Sequence, residues 1–230
     1  MSSRAPIAVA LDTSDLGIAT TWASAVAPSV QAVKVGLQLF CHDGPGAVEK
    51  VRAAADVELF LDLKLHDIPA TIAGAAKSLA ALQPTYLTVH AAAGPAGIAA
   101  AVDALPDTKI AGVTILTSLS AADLDLLGIA GPPQDAVRRL ARIAVDAGSR
   151  ALVCSPLEVA AVRAEVGPDI VLITPGVRPA GGDVQDQARV ETPQQALANG
   201  SDLLVIGRPI TGADDVGRAA ADLAATLDGR

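Results

Sequence analysis

Short runs of Val, Ile, Leu and Ala recur along the chain with little apolar–polar alternation, and longer stretches with helical spacing separate them. The runs at 6–11, 32–36, 58–64, 85–89, 110–116, 151–154, 170–174 and 202–206 predict strands. Unbroken apolar strands suit a parallel sheet covered on both faces. Helical patterns lie near 15–27, 44–55, 70–82, 95–104, 134–147, 156–166, 193–199 and 213–227. Several carry end signals. Thr192 is placed as an N-cap with Pro193 at the first helical position, and Gly200 ends that helix. Gly148 closes the helix whose apolar face is Val137, Leu140, Ala144 and Val145. Eight strands alternating with eight helices predict an α/β fold, a (β/α)8 barrel of the TIM type. No linker or low-complexity tract interrupts the pattern, so residues 1–230 are expected to form a single domain.

The residues that break the pattern matter most. The stretch Glu58-Leu59-Phe60-Leu61-Asp62-Leu63-Lys64-Leu65-His66-Asp67-Ile68-Pro69-Ala70-Thr71 begins as a buried strand yet carries Asp62 and Lys64. Alternate residues of an extended strand share a face, so these two charges are expected to point the same way. Burying them is costly unless they pair or act on something. Asp67 lies beyond the strand, because Ile68-Pro69 marks a turn into the next helix. A D-x-K-x-x-D match by itself suits a salt-bridged strand end equally well. Asp12 and Lys34, however, repeat the feature on the two preceding strands.

In a (β/α)8 barrel the active site forms at the C-terminal ends of the strands. Asp12, Lys34, Asp62, Lys64, His90, Thr117-Ser118, Arg178 and Gly207-Arg208 all fall at or just past those ends. The loops after strands seven and eight often hold phosphate through backbone N–H groups. Gly207 lets the backbone approach closely, and Arg208 supplies a forked cation. The Gly- and Pro-rich segment 175–183 contains Arg178 and could close over a bound anion. A merely solvated loop would fit its composition as well. His90 suits a rim ligand or a structural imidazole, and His42 and His66 suit surface or structural positions. Three scattered histidines with no cysteine cluster give no zinc site.

Composition narrows the partners. A net charge of −8 disfavours a polyanion such as nucleic acid, and Trp22, Phe40, Phe60 and Tyr86 are the only aromatic residues of those types. A single small anionic ligand needs only a few local cations. No uncharged apolar run is long enough to span a bilayer. Met1-Ser2-Ser3-Arg4-Ala5-Pro6 leads into a strand without the apolar segment of a signal peptide. Cys41 and Cys154 suit free thiols. A cytoplasmic enzyme is therefore expected.

Leu61-Asp62-Leu63-Lys64-Leu65-His66-Asp67-Ile68-Pro69-Ala70-Thr71 resembles the signature of the orotidine 5′-phosphate decarboxylases. The resemblance runs from Asp12 to Gly207-Arg208. It takes in Val35-Gly36, 113–118, 174–179, Asp186-Gln187 and 205–209. It implies a cofactor-free and metal-free decarboxylation of orotidine 5′-phosphate to uridine 5′-phosphate, the last step of de novo pyrimidine nucleotide synthesis. Lys64 would stabilise and protonate the C6 carbanion within a Lys34-Asp62-Lys64-Asp67 array. Asp67 and Thr71, with Ile68 and Pro69 beside them, would reach the neighbouring subunit's site in a homodimer. Asp12 and Lys34 would hold the ribose hydroxyls, Thr117-Ser118 the pyrimidine edge, and Arg178, Gln187, Gly207 and Arg208 the phosphate.

The D-x-K-x-x-D element is shared with Mg²⁺-dependent sugar-phosphate relatives, such as 3-keto-L-gulonate-6-phosphate decarboxylase and hexulose-phosphate synthase. Those generally place a carboxylate ligand in strand two, where this chain has Lys34, and a cation there works against metal binding. The remaining alternative is a catalytically silent barrel that binds a nucleotide.

Overall fold

Each apolar run becomes a strand of one closed parallel sheet in the computed structural model, which describes residues 4–178 and 191–227. The strands are β1 (Ala5–Ala10), β2 (Val30–Gly36), β3 (Glu58–Leu65), β4 (Tyr86–His90), β5 (Lys109–Val113), β6 (Ala151–Val153), β7 (Val171–Pro175) and β8 (Leu203–Ile206). Every strand pairs in parallel with its sequence neighbours, and β1 pairs with β8 to close the barrel. Eleven α-helices surround it among the described residues. They are α1 (Leu16–Val26), α2 (Leu37–Asp43), α3 (Pro45–Ala54), α4 (Pro69–Leu79), α5 (Gly94–Ala104), α6 (Ala121–Leu126), α7 (Pro133–Asp146), α8 (Val159–Val166), α9 (Pro193–Ala198), α10 (Arg208–Thr211) and α11 (Val216–Ala225).

Strand alternation sorts the apolar side chains into two cores. The larger lies between strands and helices. The smaller fills the barrel interior with Ala8, Ala32, Phe60, Tyr86, Ala111, Ala151, Ile173 and Leu203. Small residues face large ones across this layer, as a closed eight-stranded barrel requires. The rings of Phe60 and Tyr86 meet edge-on, 5.9 Å between centroids at 75°. This plug seals the interior beneath the charged residues. Ala10, Lys34 and Phe60 stand in register across β1, β2 and β3, and Gly36 stands opposite Asp62. The polar side chains therefore sit directly above the apolar layer.

The end signals hold. The Thr192 hydroxyl accepts the Gln195 N–H at 3.2 Å, and Gly148 and Gly200 take positive φ at the ends of α7 and α9. Gly112 answers a close approach, since a Cβ there would lie 2.6 Å from the Ala144 methyl on α7. The structure corrects the elements in six places. Strand five ends at Val113 rather than 116, because Thr114 turns both its N–H and its hydroxyl onto the Val153 carbonyl. Helices α2, α6 and α10 occupy segments whose pattern predicts loops, each being too short to show helical periodicity. The helix expected from 156 opens as a single 3-10 turn over Pro156–Glu158 before α8. The helix expected from 213 starts at Val216, where Asp215 caps it by accepting the Arg218 N–H at 2.9 Å.

Candidate active site

At the C-terminal mouth of the barrel lies a cavity of about 550 Å³. Its walls include Asp12, Lys34, Asp62, Lys64, Thr117, Arg178, Gly207 and Arg208. Four of these form a continuous chain of alternating charge. Lys34 Nζ lies 3.0 Å from Asp12 Oδ1 and 3.4 Å from Asp62 Oδ2, and Lys64 Nζ lies 2.7 Å from Asp62 Oδ1. The Lys34 side chain is only 8% exposed and that of Asp62 13%, whereas Lys64 is 30% exposed and faces the cavity. Burial alone would lower the Lys34 pKa, but the charges of Asp62 and Asp12 outweigh it and hold the ammonium above its ordinary range. Burial likewise works to raise Asp62, and Lys34, Lys64 and the Thr88 hydroxyl together bring it below the usual carboxylate range. All three partners thus favour the ionised forms.

Asp62 and Lys64 meet for a different reason than alternation supplies. Leu61 pairs with Leu87 and Leu65 with Val89, so β3 advances four residues (65 − 61) while β4 advances two (89 − 87). Within this bulge Lys64 has φ +50°, a left-handed conformation uncommon for a lysine. Strain of this kind persists only where the surroundings impose it, and it collects at functional sites.

The residues expected at a phosphate, Arg178, Gly207 and Arg208, line the same cavity from the ends of β7 and β8. Arg178 lines the cavity, and its buried Nε has no hydrogen-bond partner among the described residues. Its backbone is tied down, with the Arg178 N–H donated to the Glu191 carbonyl at 2.9 Å. Gly207 and Arg208 stand at the start of α10. A guanidinium nitrogen buried without a partner suits an anionic ligand. Gln187 lies outside the described residues.

Not every expected residue joins the cavity. Ser118 is exposed and does not line it, whereas its neighbour Thr117 does. Asp67 is exposed and outside this chain's own array, its Oδ1 accepting the Ile68 N–H at 2.6 Å. Ile68, Pro69 and Thr71 are exposed beside it. His90 stacks against His66 with ring centroids 5.1 Å apart and does not line the cavity. Burial, with His66 and Lys64 adding to it, pushes the His90 pKa below its ordinary value.

The walls also include residues that the pattern does not single out, among them Gln38, Phe60, Val113 and Cys154. Phe60 and Val113 are inward-facing strand residues and could be found by counting in twos from Asp62 and Ala111. Gln38 sits on α2, which left no periodic signal. Burial, with Glu158 adding to it, pushes the Cys154 thiol up to about 12, so it serves as an apolar wall rather than a nucleophile. No three His, Cys, Asp or Glu side chains converge on a metal position among the described residues.

A closed parallel barrel whose mouth holds a carboxylate–ammonium chain and two arginines in one cavity defines a barrel enzyme built for a small anionic substrate. Residues 5–223 match the model of the orotidine 5′-phosphate decarboxylase / HUMPS family, and the chain belongs to that family. It is 65% identical to orotidine 5′-phosphate decarboxylase from Thermobifida fusca over 97% of this chain and 96% of the relative. The corresponding protein of Frankia casuarinae is 56% identical, over 97% of this chain and 88% of its own. The crystal structure of orotidine 5′-phosphate decarboxylase from Lactobacillus acidophilus superposes with a TM-score of 0.84 at 35% identity, covering 97% of this chain and 98% of that one.

Proposed function

We propose that this chain decarboxylates orotidine 5′-phosphate to uridine 5′-phosphate, with Lys64 as the proton donor and no metal or organic cofactor. The observation that carries the reading is the ion chain Asp12–Lys34–Asp62–Lys64, which lines one cavity together with Arg178 and Arg208. In the reaction the C6–carboxylate bond breaks, its electron pair stays on C6, and carbon dioxide departs. The carbanion has no adjacent electron sink, so stabilisation must come from fixed charge. The Lys64 ammonium faces the developing charge and then transfers a proton to C6, to be reprotonated from solvent. Asp62 stands beside the departing carboxylate and disfavours the ground state. At 4 Å and an effective dielectric near 20, each unit charge pair contributes about 4 kcal/mol, enough to hold one geometry. Asp12 and Lys34 hold the ribose hydroxyls, Thr117 the pyrimidine edge, and Arg178, Gln187, Gly207 and Arg208 the phosphate.

Asp67 and Thr71 belong in this reading to the neighbouring site of a homodimer. Residues 66–71 form an exposed run at the rim, and Ile68, 65% exposed, places an apolar side chain in water unless a partner covers it. With two free cysteines and no helix among the described residues long and apolar enough to cross a membrane, the reading places the enzyme in the cytoplasm.

The family description also covers HUMPS members, so a Mg²⁺-dependent sugar-phosphate activity is the second reading. Lys34 speaks against it: an ammonium within 3.0 and 3.4 Å of Asp12 and Asp62 occupies the place a divalent cation would take. The test follows orotidine 5′-phosphate absorbance with purified protein, with and without excess EDTA, beside 3-keto-L-gulonate 6-phosphate with Mg²⁺. Turnover of the nucleotide unchanged by EDTA is expected. Mg²⁺-dependent turnover of the sugar phosphate would move the assignment to the second reading. Binding of the nucleotide without turnover would leave a silent barrel.

A further inference from the structure

Thr88 on β4 is wholly buried, and its one hydroxyl makes two contacts inside the bulge of β3. It accepts the Lys64 N–H at 2.8 Å and donates to Asp62 Oδ1 at 3.1 Å. That same Oδ1 receives the Lys64 ammonium at 2.7 Å. The two extra residues of β3 interrupt the regular ladder around Lys64, and its N–H meets a side-chain oxygen of β4 instead of a backbone carbonyl. A buried N–H without an acceptor is costly, and here a side-chain oxygen takes the carbonyl's place. The hydroxyl proton is then left to point at the carboxylate. One oxygen therefore closes a small ring through the backbone of Lys64, the carboxylate of Asp62 and the ammonium of Lys64.

We propose that Thr88 is a positioning residue for the decarboxylation, holding Lys64 in its left-handed backbone conformation and fixing the Asp62 oxygen that aims the ammonium. The inference rests on the functional reading above, in which Lys64 acts on the substrate. Thr88 does not line the cavity, so its effect passes through the two charged residues. A φ of +50° at a residue with a Cβ is held only by its surroundings, and Thr88 supplies the hydrogen bond that holds it. Misplacement of a reacting group by a fraction of its bond length to substrate lowers the rate of the chemical step more than it lowers binding. Substrate affinity depends mainly on the phosphate and ribose contacts at the other walls.

The experiment compares Thr88→Val, which keeps the shape and removes the hydroxyl, with Thr88→Ser, which keeps the hydroxyl, and with Lys64→Ala. Folding is followed by circular dichroism and thermal unfolding, and kcat and KM are measured for each. Thr88→Val is expected to lower kcat about tenfold to a hundredfold while KM moves less than about threefold. Thr88→Ser is expected to return kcat to within about threefold of wild type, since its hydroxyl can make both bonds. Should Thr88→Val not fold, the same contrast is read between Thr88→Ala and Thr88→Ser. A folded Thr88→Val with wild-type kcat, or a kcat loss that serine does not restore, overturns the proposal. If Lys64→Ala keeps wild-type turnover, the functional reading itself fails and this inference with it. A crippled Lys64→Ala beside a wild-type Thr88→Val removes Thr88 alone.

Discussion

At the residue scale the site is a problem in keeping charges ionised where water is scarce. Burial opposes the charge on both Lys34 and Asp62, yet each is held ionised by the other and by Asp12 and Lys64. The linkage has a sign at each end of the pH scale. Asp62, whose folded pKa is depressed, contributes stability above its ordinary 3.8 that is lost as pH falls through the folded value. Lys34, whose folded pKa is raised, contributes stability below its ordinary 10.5 that is lost as pH rises through the folded value. Denaturant unfolding of wild type and Asp62→Asn should therefore show a stability gap that is constant near neutrality and narrows as pH drops below 3.8. A gap that does not change with pH would mean that Asp62 gains nothing from being ionised. The identities of Asp12, Lys34, Asp62 and Lys64 were legible because charged residues at the ends of apolar strands stand out. The left-handed backbone of Lys64 was not, since nothing in Asp-Leu-Lys-Leu marks a bulge and positive φ is ordinarily signalled by Gly or Asn.

At the element scale, strand starts and long helices were legible to within a few residues because burial on both faces leaves unbroken apolar runs. The short helices were not. In α2 and α10 a few residues turn once or twice, and no period of 3.6 can be counted over them. Gln38 escaped notice with α2, and Ser118 stands exposed outside the cavity lining because β5 ends three residues earlier than expected and the chain turns before reaching it. The junction of β2 and α2 carries its own constraint. A Cβ on Gly36 would lie 2.8 Å from Lys34 Nζ and 3.1 Å from Asp12 Oδ1, so the glycine leaves room for the ion pair rather than for a turn. Gly36→Ala should displace the ammonium and lower kcat/KM by roughly tenfold or more, because 1.4 kcal/mol of lost transition-state stabilisation is a factor of ten. The flexible end of Lys34 can yield, so the melting temperature should stay within a few degrees of wild type. Steady-state kinetics and a thermal melt on one preparation check both halves, and unchanged kinetics would show that Lys34 need not stand where it does.

At the scale of the whole molecule the barrel rim separates the expected site residues into two groups. The cavity gathers Lys34, Asp62 and Lys64, while Asp67 and Thr71 of the same chain face outward. If those two residues complete a partner's site, Lys64→Ala and Asp67→Ala subunits should each be nearly inactive and should rescue one another after dissociation and reassembly. A mixed dimer then has one site with both substitutions and one with neither, so random reassortment should restore about a quarter of wild-type activity. No rescue, with subunit exchange shown separately, would return Asp67 to its own chain. In the proposed reaction Lys64 acts on the carbon that loses carbon dioxide, and single-residue kinetics separates that role from binding. Lys64→Ala should bind uridine 5′-phosphate with affinity close to wild type while kcat on orotidine 5′-phosphate falls at least 10²–10⁴-fold, roughly the range for a lost general acid. A folded Lys64→Ala variant that decarboxylates within about tenfold of the wild-type rate would remove Lys64 from the chemistry.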